Sequence, residues 1–308
     1  MRNLRRLLIL PLLALLTAGI LIACAGGGTS SSTNGGSNNA PIKVGSKDFT
    51  EAFIIGEMYA LALEKAGLQV ERKLNLGGTP VAQAALQNGE IDLYPEYTGT
   101  GLLTVLKEPV LSDPSQVYDK VSSEYKQKFN LVWLKPAPMN NTQALAMTKE
   151  KSDKLGIKTI SDLAAKAGSL VMVGAPEFEV REDGLPGIKK KYGNFNLKQY
   201  KAVDSGLRYK ALTDGEADVT VAYGTDGEIA AYKLVVLQDD KKLFPPYQVA
   251  PVLRQQALDA NPKIADALNA IAPKLTDATM QKLNYEVSGN KKEPADVAKE
   301  FLKQEGLL

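Results

Sequence analysis

From Ile42 onward, short apolar runs alternate with stretches whose apolar residues recur at helical spacing. Ile42-Lys43-Val44-Gly45 reads as a strand. A helix opening at Asp48 or Thr50 carries Phe53, Ile54, Met58, Leu61 and Ala62 on one face, and Gly67 closes it as a C-cap residue would. A strand over Gln69 to Leu76 follows, then a helix from Pro80 to Gln87 behind Gly77-Gly78-Thr79. The turn Asn88-Gly89 leads into a strand from Ile91 to Tyr94. This βαβ rhythm predicts an α/β fold, a mixed sheet flanked by helices.

The pattern then repeats. Ala85-Leu86-Gln87-Asn88-Gly89-Glu90-Ile91-Asp92 recurs as Ala211-Leu212-Thr213-Asp214-Gly215-Glu216-Ala217-Asp218, an offset of 126 residues, and the same offset carries Tyr97 onto Tyr223. Upstream, Val44-Gly45-Ser46-Lys47-Asp48-Phe49 is paralleled by Val173-Gly174-Ala175-Pro176-Glu177-Phe178. Helix-Gly-strand units also recur by chance in α/β proteins. The matched tyrosines favour two similar lobes whose strand ends face one cleft, since open sheets bind ligands there. A two-lobed clamp is the simplest architecture.

Ahead of this region the chain has a different character. Arg2, Arg5 and Arg6 precede the sixteen residues from Leu7 to Ile22, an apolar stretch interrupted by Pro11. That is short of the roughly 20 residues a membrane span needs and reads as a secretory signal covering residues 1–23. Leu21-Ile22-Ala23-Cys24 resembles a bacterial lipobox, which makes Cys24, the single Cys of the chain, the lipid-bearing first residue of the mature protein. The residues that follow, to Ala40, contain only Ala, Gly, Ser, Thr and Asn. Such a coil cannot order itself and has a reach of roughly 20–25 Å, so residues 24–41 read as a tether.

Composition narrows the chemistry. The chain has no His and one Cys, which removes Ser-His-Asp and Cys-His nucleophiles, His-based zinc sites and internal disulfides. Its 37 Lys plus Arg against 35 Asp plus Glu argue against nucleic acid as a partner. An enzyme's best token is Ser123-Glu124-Tyr125-Lys126, but no Lys-Thr-Gly follows it. The acidic pairs Glu177 with Glu179 and Glu182 with Asp183 read equally well as surface acids. No Gly-rich loop ending in Gly-Lys-Ser/Thr occurs, so any ATPase must be a separate chain. No catalytic residue, metal or cofactor is implied.

The ordered motifs Val44-Gly45-Ser46-Lys47-Asp48-Phe49-Thr50-Glu51, Leu76-Gly77-Gly78-Thr79 and Ile91-Asp92-Leu93-Tyr94-Pro95-Glu96-Tyr97-Thr98-Gly99-Thr100 are longer than chance supplies. With Gly174-Ala175-Pro176-Glu177-Phe178 and Tyr223-Gly224-Thr225-Asp226-Gly227, they resemble the substrate-binding proteins of ATP-binding-cassette importers for glycine betaine, choline, carnitine and related osmoprotectants. The resemblance runs from Ile42 to the C-terminus. It implies a type II periplasmic-binding-protein clamp, with residues 42–140 plus 247–308 in a discontinuous first lobe and 141–246 in the second. The crossings would lie near Asn140 to Ala144 and Phe244 to Ala250. Helices over Pro262 to Ala270, Thr276 to Tyr285 and Pro294 to Glu305 would pack back on the first lobe. The implied protein is monomeric, extracytoplasmic and lipid-anchored, and works with a separate permease and ATPase.

A quaternary ammonium has no N–H to donate, so the attraction open to a protein is that of a cation for aromatic faces. By similarity, Tyr97, Tyr223 and Tyr247 occupy cage positions, each contributing on the order of 1 kcal/mol. Lys47, Thr100 and Arg181 match the donors for a ligand carboxylate, with Asn141 a further pocket candidate, while Lys189-Lys190-Lys191 reads as solvated surface. Relatives commonly carry Tyr where this chain has Gln143, so one wall of the cage is expected to be an amide. Two consequences stay open: weaker binding of a small trimethylammonium, or room for a larger, more polar betaine-like or amino-acid-derived solute. On this reasoning Gln143→Tyr should tighten glycine betaine binding.

Overall fold

The computed structural model describes residues 40–308, so the signal, Cys24 and nearly all of the tether lie outside the described residues. Ten strands occur among them: β1 (Ile42–Gly45), β2 (Val70–Lys73), β3 (Leu93–Tyr97), β4 (Leu131–Trp133), β5 (Gln143–Met147), β6 (Val171–Gly174), β7 (Gln199–Ala202), β8 (Val219–Tyr223), β9 (Val235–Val236) and β10 (Val249–Arg254). They form two five-stranded sheets, ordered β2-β1-β3-β10-β4 and β7-β6-β8-β5-β9. In each, three parallel strands adjoin one antiparallel strand: β10 runs against β3 and β4, β5 against β8 and β9. The antiparallel strand is in both cases the first one laid down after the chain passes between sheets, from Trp133 to Gln143 outward and from Val236 to Val249 in return.

The internal repeat is real structure. Helix Thr79–Asn88 ends at Gly89 with φ 75°, and helix Arg208–Thr213 is followed by Gly215 with φ 78°, a left-handed conformation that costs glycine nothing. Beyond each, the backbone N–H groups of Glu90 and Glu216 return to the carbonyls of Ala85 and Ala211. The repeated aspartates do the same work in both lobes. Asp92 Oδ2 accepts from the Lys43 N–H at 2.9 Å, and Asp218 Oδ2 from the Val171 N–H at 2.7 Å, each carboxylate fixing the start of the first parallel strand of its sheet. The repeat therefore encodes a helix stop and a strand register.

Two strand boundaries differ from expectation. β2 stops at Lys73 because Asn75 adopts φ 60° and the Leu76 N–H turns to the Ser46 carbonyl. β3 continues through Pro95 to Tyr97, because Pro95 lies opposite Pro251 in the antiparallel register, and the neighbouring Thr98 N–H bonds to the Gln248 carbonyl. With bonded pairs alternating along the ladder, the proline pair falls where neither N–H is required.

Helix Thr50–Lys65 is the centre of the first lobe's larger core. Its Ile54, Ile55, Met58 and Leu63 cluster with Ile264 and Leu268, with Met280, and with Val297, Phe301 and Leu302. These partners come from three helices far away in sequence, Lys263–Asn269, Asp277–Ser288 and Pro294–Gln304, which pack back on the N-terminal lobe as expected. At about 1.5–3 kcal/mol per buried aliphatic or aromatic side chain, this cluster ties the N-terminal helix to the C-terminal ones strongly. The second sheet has its own core around Leu145, Met172, Ile188 and Val221. Among the described residues, no helix is long and apolar enough to cross a membrane.

Candidate functional site

A cavity of about 450 Å³ lies between the two sheets. Its walls come from the carboxyl ends of the parallel strands: Lys47 to Glu51 after β1, Gly78 and Thr79 after β2, Tyr97 and Thr100 at β3, and Ala175 to Arg181 after β6. Asp204 to Tyr209 follow β7, and Tyr223 ends β8. Asn141, Gln143 and Tyr247 enter from the two crossings, which are bonded to one another. The Asn141 N–H donates to the Tyr247 carbonyl at 3.0 Å, and the Tyr247 N–H to Asn140 Oδ1 at 2.7 Å. All eight pocket residues expected from the sequence thus line one cavity.

The lobes meet around it. The Thr79 N–H donates to Glu177 Oε2 at 3.3 Å, and Thr104 Oγ1 to Asp183 Oδ1 at 3.2 Å. Asn284, on a C-terminal helix, donates to Glu51 Oε2 at 2.8 Å and to the Thr225 carbonyl at 2.9 Å.

Two of the three aromatic walls are anchored through their hydroxyls. Tyr97 donates to Glu51 Oε1 at 2.8 Å, and Tyr247 to Asp183 Oδ2 at 2.7 Å. Gly99 lets the Tyr247 ring approach: a Cβ there would lie 2.7 Å from ring carbons. Burial pushes the Tyr223 phenol up to about 12, so its ring stays neutral. Beside Tyr223 stands Arg208, with its guanidinium carbon 5.3 Å from that ring's centroid and 4.7 Å from that of Tyr209.

Each basic residue of the cavity already has a carboxylate. Lys47 Nζ is 2.6 Å from Glu96 Oε1, with both side chains buried, and donates to Thr79 Oγ1 at 3.1 Å. It also sits 5.2 Å from the Tyr97 ring centroid. Arg181 grips Asp183 through Nε and Nη2, reaches Glu177 at 3.2 Å and contacts Thr100 Oγ1 at 3.4 Å. Burial opposes the charge on Arg181, but Asp183 and Glu177 outweigh it and hold its pKa above the ordinary value. Arg208 pairs with Asp226 Oδ2 at 2.6 Å. The expected carboxylate donors Lys47, Thr100 and Arg181 are therefore in the cavity, but within networks of their own.

Gln143 is a junction more than a wall. Its amide donates to Asp183 Oδ2 and to the Tyr247 hydroxyl, each at 2.7 Å, joining β5, the Arg181 loop and the return crossing. Five further site residues are not singled out by sequence reasoning. Glu51 belongs to a motif that carries the family resemblance, and Asp183 reads in the sequence only as half of an acidic pair. Arg208, Tyr209 and Asn284 lie in helices, where nothing in the local pattern separates a cleft position from a surface one.

Comparison with known proteins agrees with this geometry. Residues 40–304 match the family described as the substrate binding domain of ABC-type glycine betaine transport systems. The glycine-betaine-binding protein of Pseudomonas aeruginosa is 37% identical over 277 residues, covering 87% of this chain and 88% of its own. The ergothioneine transport permease/ergothioneine binding protein EgtU of Helicobacter pylori is 36% identical over 268 residues, covering 87% of this chain, which spans 48% of that longer protein. A crystal structure described as a glycine betaine/carnitine/choline ABC transporter is 35% identical, with a TM-score of 0.68, and covers 86% of this chain and 99% of its own. The two mixed sheets are thus those of a type II periplasmic binding protein, and the relatives are transport binding proteins, not enzymes. The chain belongs to the family of substrate-binding domains of ABC-type glycine betaine transport systems.

Proposed function

We propose that this protein captures a solute bearing a trimethylammonium group in the cavity between its lobes and delivers it to an ABC permease. The observation that carries the reading is the convergence of Tyr97, Tyr223 and Tyr247 on one cavity fed by both sheets and both crossings. The relatives' named ligands, glycine betaine, carnitine, choline and ergothioneine, have a quaternary ammonium in common. Aromatic faces recognise that feature without hydrogen bonds. A ligand touching both lobes stabilises the closed arrangement by its differential affinity for it. In this reading the lobe limits are 140/141 and 246/247, and the bonded crossings act as the hinge. Lipidation at Cys24 would hold the protein outside the cell membrane on its tether, and Cys24→Ser would release it to the soluble fraction.

Calorimetry with choline, glycine betaine, carnitine and ergothioneine tests the ligand reading. Tyr223→Ala should weaken the ligands that bind by about five- to thirtyfold, the equivalent of a cation-π contact of about 1–2 kcal/mol, while Tyr223→Phe, which keeps the ring, should cost far less. Equal losses in both variants would assign the interaction to the hydroxyl, and absence of binding across the panel would overturn the reading.

A further inference from the structure

We infer that the cavity selects a solute of net positive charge over a zwitterion, and that Glu51 is the specificity-determining charge that does so. The inference rests on the trimethylammonium reading above and concerns the other end of the ligand. A betaine brings a carboxylate, which a free cation grips most strongly. The three basic groups lining the cavity are each within salt-bridge distance of a protein carboxylate: Lys47 of Glu96, Arg181 of Asp183 and Glu177, Arg208 of Asp226. A ligand carboxylate would compete with those partners in a buried setting, where breaking a pair is costly.

The acids tell the opposite story. Glu51, Asp48, Asp204 and Glu228 also line the cavity, and none of the four has a salt-bridge partner among the described residues. Glu51 is 3% exposed and is held by neutral donors only, Tyr97 Oη, Asn141 Nδ2 at 2.7 Å and Asn284 Nδ2. A buried carboxylate without a cation is expensive unless it takes up a proton or a charge is brought to it. Its bond from the Tyr97 hydroxyl helps hold the proton on the phenol, and fixes the ring whose face a ligand cation would meet. The site is organised so that charge balance is completed from outside.

The test compares choline, glycine betaine and 3,3-dimethylbutan-1-ol, the neutral carbon isostere of choline, by calorimetry at fixed pH and ionic strength. Wild-type protein should bind choline about tenfold or more tighter than glycine betaine, and the neutral isostere at least about a hundredfold more weakly than choline. Glu51→Gln should lower the choline-to-betaine affinity ratio by about fivefold or more, with circular dichroism confirming the fold. Asp48→Asn, at an exposed position, should lower the same ratio about twofold and keeps the inference testable if the Glu51 variant does not fold. Glycine betaine binding as tightly as choline would overturn the inference while leaving the trimethylammonium reading intact. A ratio unchanged in both variants would overturn the role of Glu51. Failure of all trimethylammonium compounds to bind would overturn the reading beneath it.

Discussion

Replacing Asp183 by Asn probes the junction that joins the lobes behind the cavity. The carboxylate is 1% exposed and accepts from Arg181 Nε at 2.7 Å, Arg181 Nη2, Thr104 Oγ1 at 3.2 Å, and Gln143 Nε2 and Tyr247 Oη at 2.7 Å. These donors come from the first lobe, the second lobe and the return crossing. Asn has nearly the same shape but only one acceptor oxygen, and its NH₂ would face donors. Burial alone would raise the Asp183 pKa, yet the Arg181 guanidinium and the Tyr247 hydroxyl outweigh it and the pKa is lowered. A lowered pKa means stability present above the unfolded value of about 3.9 and lost as pH falls through the folded one. Removing one member of a buried pair costs about 3–5 kcal/mol, because the partner charge stays behind. The individual bonds are not added to this, since they form one network. At roughly 2–4 °C per kcal/mol for a chain of this size, thermal unfolding of Asp183→Asn should shift down by about 10 °C at neutral pH. The shift should shrink as pH falls below the unfolded value of about 3.9 and on through the lowered folded one, where the wild type loses the same charge. The double replacement Arg181→Met with Asp183→Leu should be less damaging than Asp183→Asn alone, because the buried charges go together and Glu177, which also loses Arg181, is partly exposed to water. A single variant within about 1 kcal/mol of wild type, or a double variant worse than the single, would refute the reasoning.

Gln143→Tyr, expected from the sequence to tighten glycine betaine, is not expected to do so in this structure. One added cation-π contact of about 1 kcal/mol is set against two lost amide hydrogen bonds, one of them to a carboxylate and worth about 1.5–3 kcal/mol, so titration should show unchanged or weaker binding. Gly215→Ala should cost about 1–2 kcal/mol in urea unfolding from its positive φ alone, since a Cβ there meets open space. Gly89→Ala should cost more, because its Cβ would also lie 2.5 Å from the Arg254 guanidinium that pairs with Asp92. Burial raises the Glu51 pKa against the hydrogen bonds that oppose it. Choline affinity should therefore fall as pH drops through that raised value, while the same protonation stabilises the unliganded fold. Affinity flat down to about pH 4, near the ordinary Glu value, would contradict this.

The fold was legible because its signals are local and duplicated. Asn88-Gly89 and Asp214-Gly215 announce helix stops, and Asp92 and Asp218 recur because both sheets need the same clamp on a parallel strand. The end of β3 was not legible, since Pro95 reads as a strand end until Pro251 is known to face it, and that pairing spans the whole second lobe. The same limit governs the site. Tyr97, Tyr223 and Lys47 stand at strand ends within long motifs. That Lys47 is paired with Glu96, and that Gln143 donates to Asp183, depends on contacts between distant segments. Sequence could place the side chains in the cleft but not reveal which charges were already neutralised there.

If the ammonium head of the ligand sits among tyrosine faces between the lobes, a crystal structure of the complex with the tightest-binding trimethylammonium compound shows it most directly. The ligand nitrogen should lie within about 6 Å of the ring centroids of Tyr97, Tyr223 and Tyr247. A nitrogen directed to solvent, or a ligand bound outside this cavity, would contradict it.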